Sequence, residues 1–233
     1  MKTIIAVLLL IYSGIAFTCP PGTYPVSEHP RTDYYRSDGT HYSAAEVSNS
    51  CRSFNNKGKI NLKFEDEMPV RWPHKEEKFK KWNKKQKKWI KKRILSISKK
   101  LIDIGDVRVL RAKKSETEGN PSSSASEEKI IVLYDSAFQG NVDRILIHEF
   151  AHFAYNSLSD VEKESYWQSS GWEIDGSRKL STSKKVFSAP DGIVDPDEDF
   201  ANDVELFYSS PKKLKKIAPK SHQWIKIFLG AKK

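Results

Sequence analysis

The motif His148-Glu-Phe-Ala-His152 constrains this chain more than any other feature, because it places two histidines four residues apart in a helical pattern. On a helix, side chains at this spacing lie one turn apart, with Cβ atoms roughly 5–6 Å from each other, so both imidazoles can reach one metal ion. Glu149 is displaced around the helix from the histidines, where it can face a metal-bound water as a general base. The motif therefore predicts a catalytic metal site.

The helix around the motif is predicted to be buried. Apart from the motif residues, positions 145–154 are apolar, and a helix that is apolar all round belongs in a protein interior. Buried histidines and a buried glutamate need a compensating partner, which a cation supplies. The alternative is a pair of buried histidines that hydrogen bonds alone satisfy.

A third protein ligand is expected, since catalytic zinc sites usually have three and leave the fourth position to water. The candidates lie in residues 195–208, where Pro196 can open a helix with Asp195 as its N-cap. In such a helix Glu198 and Asn202 share one face, one turn apart. Three other carboxylates of the same helix compete for the ligand role: Asp199, Asp203 and Glu205.

Two motifs together carry a family resemblance. The sequence His148-Glu-Phe-Ala-His152 is followed about fifty residues later by Glu198-Asp-Phe-Ala-Asn202. This arrangement resembles the gluzincin metallopeptidases, in which a glutamate on a second helix is the third zinc ligand. Bacterial zinc peptidases and the catalytic domain of anthrax lethal factor are the most similar in spacing. The resemblance covers roughly residues 130–230 and is strong at the two motifs.

The resemblance implies an α+β, zincin-like metallopeptidase domain: a small sheet with an edge strand, an active-site helix and a second ligand-bearing helix. Carried over residue by residue, His148, His152 and Glu198 hold Zn²⁺ and Glu149 is the general base. Asn202 stands where the family has a carboxylate, and it can still accept a hydrogen bond from a ligand histidine. The family's oxyanion-steadying tyrosine is missing, and no spacing argument selects among three substitutes: Tyr155, Tyr208 and His222.

The N-terminus predicts export. Residues 1–16 combine Lys2, a short apolar run and small residues before a cleavage site after Ala16, which is the pattern of a secretory signal peptide. The alternative is an N-terminal anchor that stays in place. In an oxidising compartment Cys19 and Cys51 are expected to form a disulfide. Lipid attachment to Cys19 is the rival interpretation, so the chain is expected to be secreted, periplasmic or, less favourably, lipid-anchored.

Residues 17–70 are rich in proline and show no helical or strand periodicity, which predicts a loop-rich N-terminal segment that carries the cysteine pair. Residues 71–233 are assigned to the metallopeptidase domain. Within it, residues 75–101 follow an amphipathic helical pattern with a dense lysine face. That face could lie on an anionic membrane surface, on nucleic acid or on an anionic cell-wall polymer, or it could be the solvated side of an ordinary domain helix.

Two apolar runs, residues 106–111 and 129–135, predict strands separated by a serine-rich loop over residues 115–128. By resemblance, the strand at 129–135 would be the edge to which an extended substrate pairs its backbone. A protein or peptide would then be the partner of the site.

Composition agrees with one main soluble domain: 233 residues, 38% hydrophobic and 30% charged. The net charge of +10 favours encounters with acidic proteins or anionic envelope polymers, and there is no dedicated nucleic-acid motif. The sequence thus predicts a secreted zinc-dependent peptidase. Two alternatives remain open: a peptidoglycan amide hydrolase, and a non-catalytic zinc-containing module held to anionic envelope surfaces by the lysine-rich helix.

Overall fold

The computed structural model describes residues 60–69, 72–74, 76–97, 99–174 and 180–230, the side chains of Lys100 and Ile174 excepted, together with the backbone of six short strands between residues 23 and 53. The signal segment, residues 1–16, and Cys19 lie outside the described residues. The disulfide and the lipid attachment therefore stay predictions.

The six N-terminal strands form three antiparallel pairs: β1 (Thr23–Val26) with β6 (Ser50–Ser53), β2 (His29–Arg31) with β5 (Ala45–Val47), and β3 (Tyr34–Tyr35) with β4 (His41–Tyr42). The prediction of a loop-rich segment was wrong for these stretches. Strands of two to four residues, interrupted by prolines, are too short to show the alternation by which strands are recognised.

The main sheet has four strands in the order β7 (Asn61–Phe64), β8 (Asp106–Ala112), β10 (Ile130–Tyr134) and β9 (Ser122–Ala125). The first three run parallel, and β9 is antiparallel at the edge beside β10. The strands predicted at 106–111 and 129–135 are confirmed. The sheet also takes in β7, which precedes residue 71.

The prediction that residues 129–135 form the edge strand was wrong, because β10 pairs on both sides and all five of its residues are buried. The edge strand is β9, inside the stretch predicted to be a loop. Its four residues are three serines and an alanine, so it carries no apolar alternation, and only its hydrogen bonds to β10 make it a strand.

Seven helices and a small hairpin complete the part of the chain that the structure describes: α1 (Lys84–Ile94), α2 (Lys99–Ile102), α3 (Val142–Ser157), α4 (Asp160–Ser170), β11 (Trp172–Ile174), β12 (Leu180–Thr182), α5 (Pro196–Ser209), α6 (Pro211–Ile217) and α7 (Pro219–Phe228). Short 3-10 helices lie at Asp135–Phe138 and Pro190–Ile193. The α+β class is confirmed. Among the described residues, no helix combines the length and apolar character needed to cross a membrane.

The lysine-rich helix is shorter than the predicted 75–101. It begins at Lys84, where Asn83 and Gln86 form a capping box, and ends before Leu95. The preceding stretch lies along the sheet instead: Phe79 bridges to Ala112, and the indole of Trp82 donates to the carbonyl of Val109 at 3.1 Å. Tertiary pairing with β8 therefore replaces the first predicted turns.

The core that positions the site lies between α3 and α5. Phe200 of α5 is fully buried and its ring lies 5.5 Å from that of Tyr155 and 5.1 Å from that of Tyr166. Trp224 and Phe228 of α7 close the same aromatic cluster. This packing fixes the rotation of α5 about its axis, and so decides which of its polar residues face α3.

Candidate metal centre

The two motif histidines converge on one point. They lie on α3, whose first turn is capped by the side chain of Asn141, and their Nε2 atoms are 3.1 Å apart. Both side chains are largely buried, at 18% and 12% exposure. The predicted buried helix with two histidines on one face is confirmed.

Glu198 reaches the same point from α5. The helix begins at Pro196, and the side chain of Asp195 accepts hydrogen bonds from the backbone N–H groups of Asp197 and Glu198, as the sequence predicted. The carboxylate oxygens of Glu198 lie 3.6 Å from Nε2 of His148 and 3.7 Å from Nε2 of His152.

These three side chains could hold a metal ion. Ligand bonds of about 2.0–2.1 Å in a tetrahedral site separate the donor atoms by roughly 3.3–3.4 Å. The observed separations of 3.1, 3.6 and 3.7 Å bracket that value. Within the described residues, no other group of three His, Cys, Asp or Glu side chains has this spacing. Two imidazoles and one carboxylate are the donor set of many catalytic zinc sites, so the residues fit zinc.

The remaining ring nitrogens of the histidines meet carboxylates. Asp197 Oδ1 lies 2.8 Å from Nδ1 of His152, and Glu205 Oε2 lies 3.5 Å from Nδ1 of His148. A carboxylate at Nδ1 keeps the proton there and leaves the Nε2 lone pair for a metal. Sequence reasoning missed this role of Asp197, and it treated Glu205 as a competing ligand. The available signal was spacing, since Glu198, Asn202 and Glu205 follow one stripe of α5.

Asn202 does not make the contact expected of it. Its side-chain amide donates to Oδ1 of Asp191 at 2.7 Å, and in the part of the chain that is described it forms no hydrogen bond with either histidine. Asp191 lies in the 3-10 helix before α5. Glu205, one turn further along α5, occupies the position beside His148 instead.

The site carries an excess of negative charge. Burial lowers the pKa of His148, but its bonds to Glu198 and Glu205 outweigh this and raise that pKa to about 10. Burial also opposes protonation of His152, and Asp197 outweighs it, so the pKa of His152 is raised as well. The bond to His148 lowers the pKa of the Glu198 carboxyl. Such a site favours a cation, either protons or a metal ion.

Glu149 lies beside the histidines but points to a different neighbour. Its side chain is 5% exposed, and Oε1 accepts a hydrogen bond of 2.5 Å from the hydroxyl of Ser122 on β9. Both residues line a cleft of about 300 Å³, together with His148, Arg144 and Asn202. The general-base candidate therefore lies in the wall of the cleft, next to His148.

The three proposed oxyanion residues do not line this cleft. Tyr155 is fully buried in the aromatic core and accepts a hydrogen bond from the indole of Trp167 at 2.7 Å. Tyr208 and His222 pack against Phe207. Besides the ring of His148, the side-chain donors that line the cleft are Asn120, Ser122, Arg144, Ser188 and Asn202.

The other two ligand candidates, Asp199 and Asp203, are buried on another side of α5. Lys184 Nζ lies 2.6 Å from Asp199 and 3.2 Å from Asp203, and the indole of Trp172 donates to Asp199 at 3.0 Å. Burial, with the neighbouring Asp203, raises the pKa of Asp199 to about 6 despite Lys184. These carboxylates hold the segment before α5 against the helix and face away from the histidines.

The lysine face of α1 is a separate surface. The helix contains no acidic residue, and its exposed lysines are Lys84, Lys85, Lys88, Lys91 and Lys92. Trp89 and Leu95 are 37% and 53% exposed among them, while Ile90 and Ile94 are buried in the core. The apolar face of α1 is therefore core, and a second, partly apolar surface remains outside.

Comparison with known proteins returns no relative: no family model matches the chain, and no curated protein or solved structure is similar to it at a significant level. The residues of the site are therefore the basis for assigning a function.

Proposed function

We propose that this protein is an exported zinc-dependent peptidase with a zincin-like catalytic domain. The observation that carries the proposal is the triangle of His148, His152 and Glu198, with the buried carboxylate of Glu149 in the adjoining cleft. A purely structural zinc site has no use for an uncoordinated carboxylate at that position. The donor set and the base together support hydrolysis.

The proposed mechanism assigns one task to each group. Bound zinc would lower the pKa of its water and polarise the substrate carbonyl. Glu149 accepts the proton of the attacking water and later donates it to the leaving amine. Asp197 and Glu205 hold the imidazoles of His152 and His148 in the tautomer that the site requires.

The edge strand supports a peptide as substrate. Ser123 pairs with Val132, and the N–H of Tyr134 donates to the carbonyl of Pro121. The backbone groups of Pro121 and Ser123 therefore point toward β10. Because the direction alternates along an antiparallel strand, those of Ser122 and Ser124 point away from the sheet. The N–H of Ser122 donates to the side-chain oxygen of Asn120 at 3.4 Å, a long contact that a substrate carbonyl could replace. An extended chain could then pair with this outer edge by strand addition, directly beside Glu149.

We also propose that the lysine face of α1 brings the exported protein to an anionic membrane surface. Lysines bind lipid headgroups, and the exposed side chains of Trp89, within α1, and Leu95, at its C-terminal end, offer apolar surface. The guanidinium carbon of Arg93 lies over the ring of Trp89, 5.2 Å from the ring centre. A soluble anionic polymer needs the charges alone, and this difference makes the two partners separable by experiment.

The test of the enzymatic proposal is degradation of a diverse mixture of short peptides by the zinc-loaded chain, followed by mass spectrometry. We expect new peptide termini with wild type and none with Glu149→Gln, which retains the shape but not the basicity of the side chain. Cleavage of peptidoglycan fragments but of no linear peptide would instead support an amide hydrolase. Zinc binding without either activity would support the non-catalytic zinc-containing module.

A further inference from the structure

Two buried polar side chains from distant parts of the chain meet at the edge of the cleft. The hydroxyl of Ser122, the first residue of β9, lies 2.5 Å from Oε1 of Glu149 on α3, and both residues are 5% exposed. An ionised carboxylate only accepts hydrogen bonds, so the hydroxyl is the donor. Its single proton is committed to the carboxylate.

The contact is specific to Ser122 within a run of three serines. Ser123 lies on the opposite face of the strand, where its hydroxyl oxygen lies 2.9 Å from that of Tyr134. Of the side chains that the structure describes, the hydroxyl of Ser122 is the one that hydrogen-bonds to the Glu149 carboxylate. One oxygen of that carboxylate is therefore held, and the other is left for a reacting water.

We propose that Ser122 is a positioning residue for the general base. This inference rests on the proposed function. Ser122 fixes the rotamer of Glu149 through Oε1 and directs Oε2 to the water, so the carboxylate is already oriented for proton transfer when the substrate binds. Because the backbone of the same residue belongs to the outer edge of β9, a substrate strand docked there lies beside the base.

The proposal predicts a separation between kcat and KM. Ser122→Ala removes the hydroxyl and keeps every backbone group of the edge. We therefore expect kcat for a fluorogenic peptide to fall about 10–100-fold, as misplacement of a catalytic group by about 1 Å does. KM should stay within about twofold of wild type, and bound zinc at wild-type stoichiometry, because neither the edge nor the ligands change.

Two matched variants complete the kinetic test. Ser122→Thr keeps the hydroxyl on a strand-compatible side chain and should restore kcat to within about threefold of wild type. Ser123→Ala, on the neighbouring serine of the opposite face, should leave both parameters unchanged.

A readout without metal or substrate tests the contact itself. In the metal-free chain, Ser122→Ala should lower the urea midpoint, and the shift should be roughly halved in the Glu149→Gln background, because hydrogen bonds to ionised acceptors are about twice as strong as neutral ones. An equal shift in both backgrounds contradicts the contact.

The outcomes distinguish the two proposals. Hydrolysis with kcat unaffected by Ser122→Ala, a loss confined to KM, or an equal loss in Ser123→Ala overturns the positioning role alone. A wild type that binds zinc and hydrolyses no peptide overturns the proposed function together with this inference.

Discussion

Glu198 and Asp199 are neighbours on α5 with opposite surroundings, and this contrast gives the sharpest test of the metal centre. Glu198 faces the two imidazoles at 3.6 and 3.7 Å. Asp199 is fully buried against Lys184 and Trp172. The isosteric changes Glu198→Gln and Asp199→Asn therefore remove one charge each, at the same height of the same helix, from two different sites.

We expect Glu198→Gln to weaken zinc binding at least about 100-fold. Structural zinc sites with four ligands bind with about 10–16 kcal/mol, or roughly 3 kcal/mol per ligand, and each 1.4 kcal/mol is a factor of about ten. Asp199→Asn should change zinc affinity by less than about threefold. Competition with a chromophoric zinc chelator at neutral pH measures both values.

Asp199→Asn should instead change the pH dependence of stability. The pKa of Asp199 is raised to about 6 in the folded chain, from an ordinary value of 3.8. A carboxyl with a raised pKa favours folding below its ordinary pKa and loses that contribution as the pH rises through about 6. The stability of Asp199→Asn relative to wild type should therefore increase between pH 4 and pH 7 in urea unfolding.

Loss of zinc binding in Asp199→Asn together with its retention in Glu198→Gln would refute Glu198 as the third ligand, because α5 would then be rotated about its axis. A wild-type chain that takes up no zinc would refute the metal centre as a whole.

Three further predictions follow from the contacts around α5 and α1. Asp197→Ala should lower the zinc affinity about 10–100-fold, because it removes the carboxylate that orients the His152 ring through Nδ1. Equilibrium dialysis measures this affinity, and an unchanged value would contradict the prediction. Lys184→Met leaves two buried carboxylates without their cation, which should cost about 3–5 kcal/mol of stability and lower Tm by roughly 6–20 °C. An unchanged Tm in calorimetry would show that this cluster does not stabilise the fold. The double variant Lys88→Glu, Lys92→Glu should bind phosphatidylglycerol vesicles at least about 30-fold more weakly than wild type, since each lysine contributes about 1 kcal/mol. If wild type binds a soluble polyphosphate as tightly as it binds the vesicles, the partner is a polymer rather than a membrane.

The parts of the site that the sequence predicted are those that one helix fixes alone. Residues four apart on a helix share a face whatever surrounds them, so His148 and His152 were predicted together. The start of α5 was equally local, because Asp195 caps the backbone two and three residues ahead and Pro196 suits the first turn. Burial of α3 followed from its apolar residues.

Only the tertiary structure decided the contacts between elements. β9 is a strand because it pairs with β10, although its serines give no strand signal. That pairing brings Ser122 into contact with Glu149, which lies 27 residues further along the chain. Glu205 rather than Asn202 meets His148, because packing of Phe200 sets the rotation of α5. The six N-terminal strands were missed for the same reason as β9. Short strands and helix rotation depend on partners distant in the chain, and the physical signal for them lies in packing and hydrogen bonding that no local pattern contains.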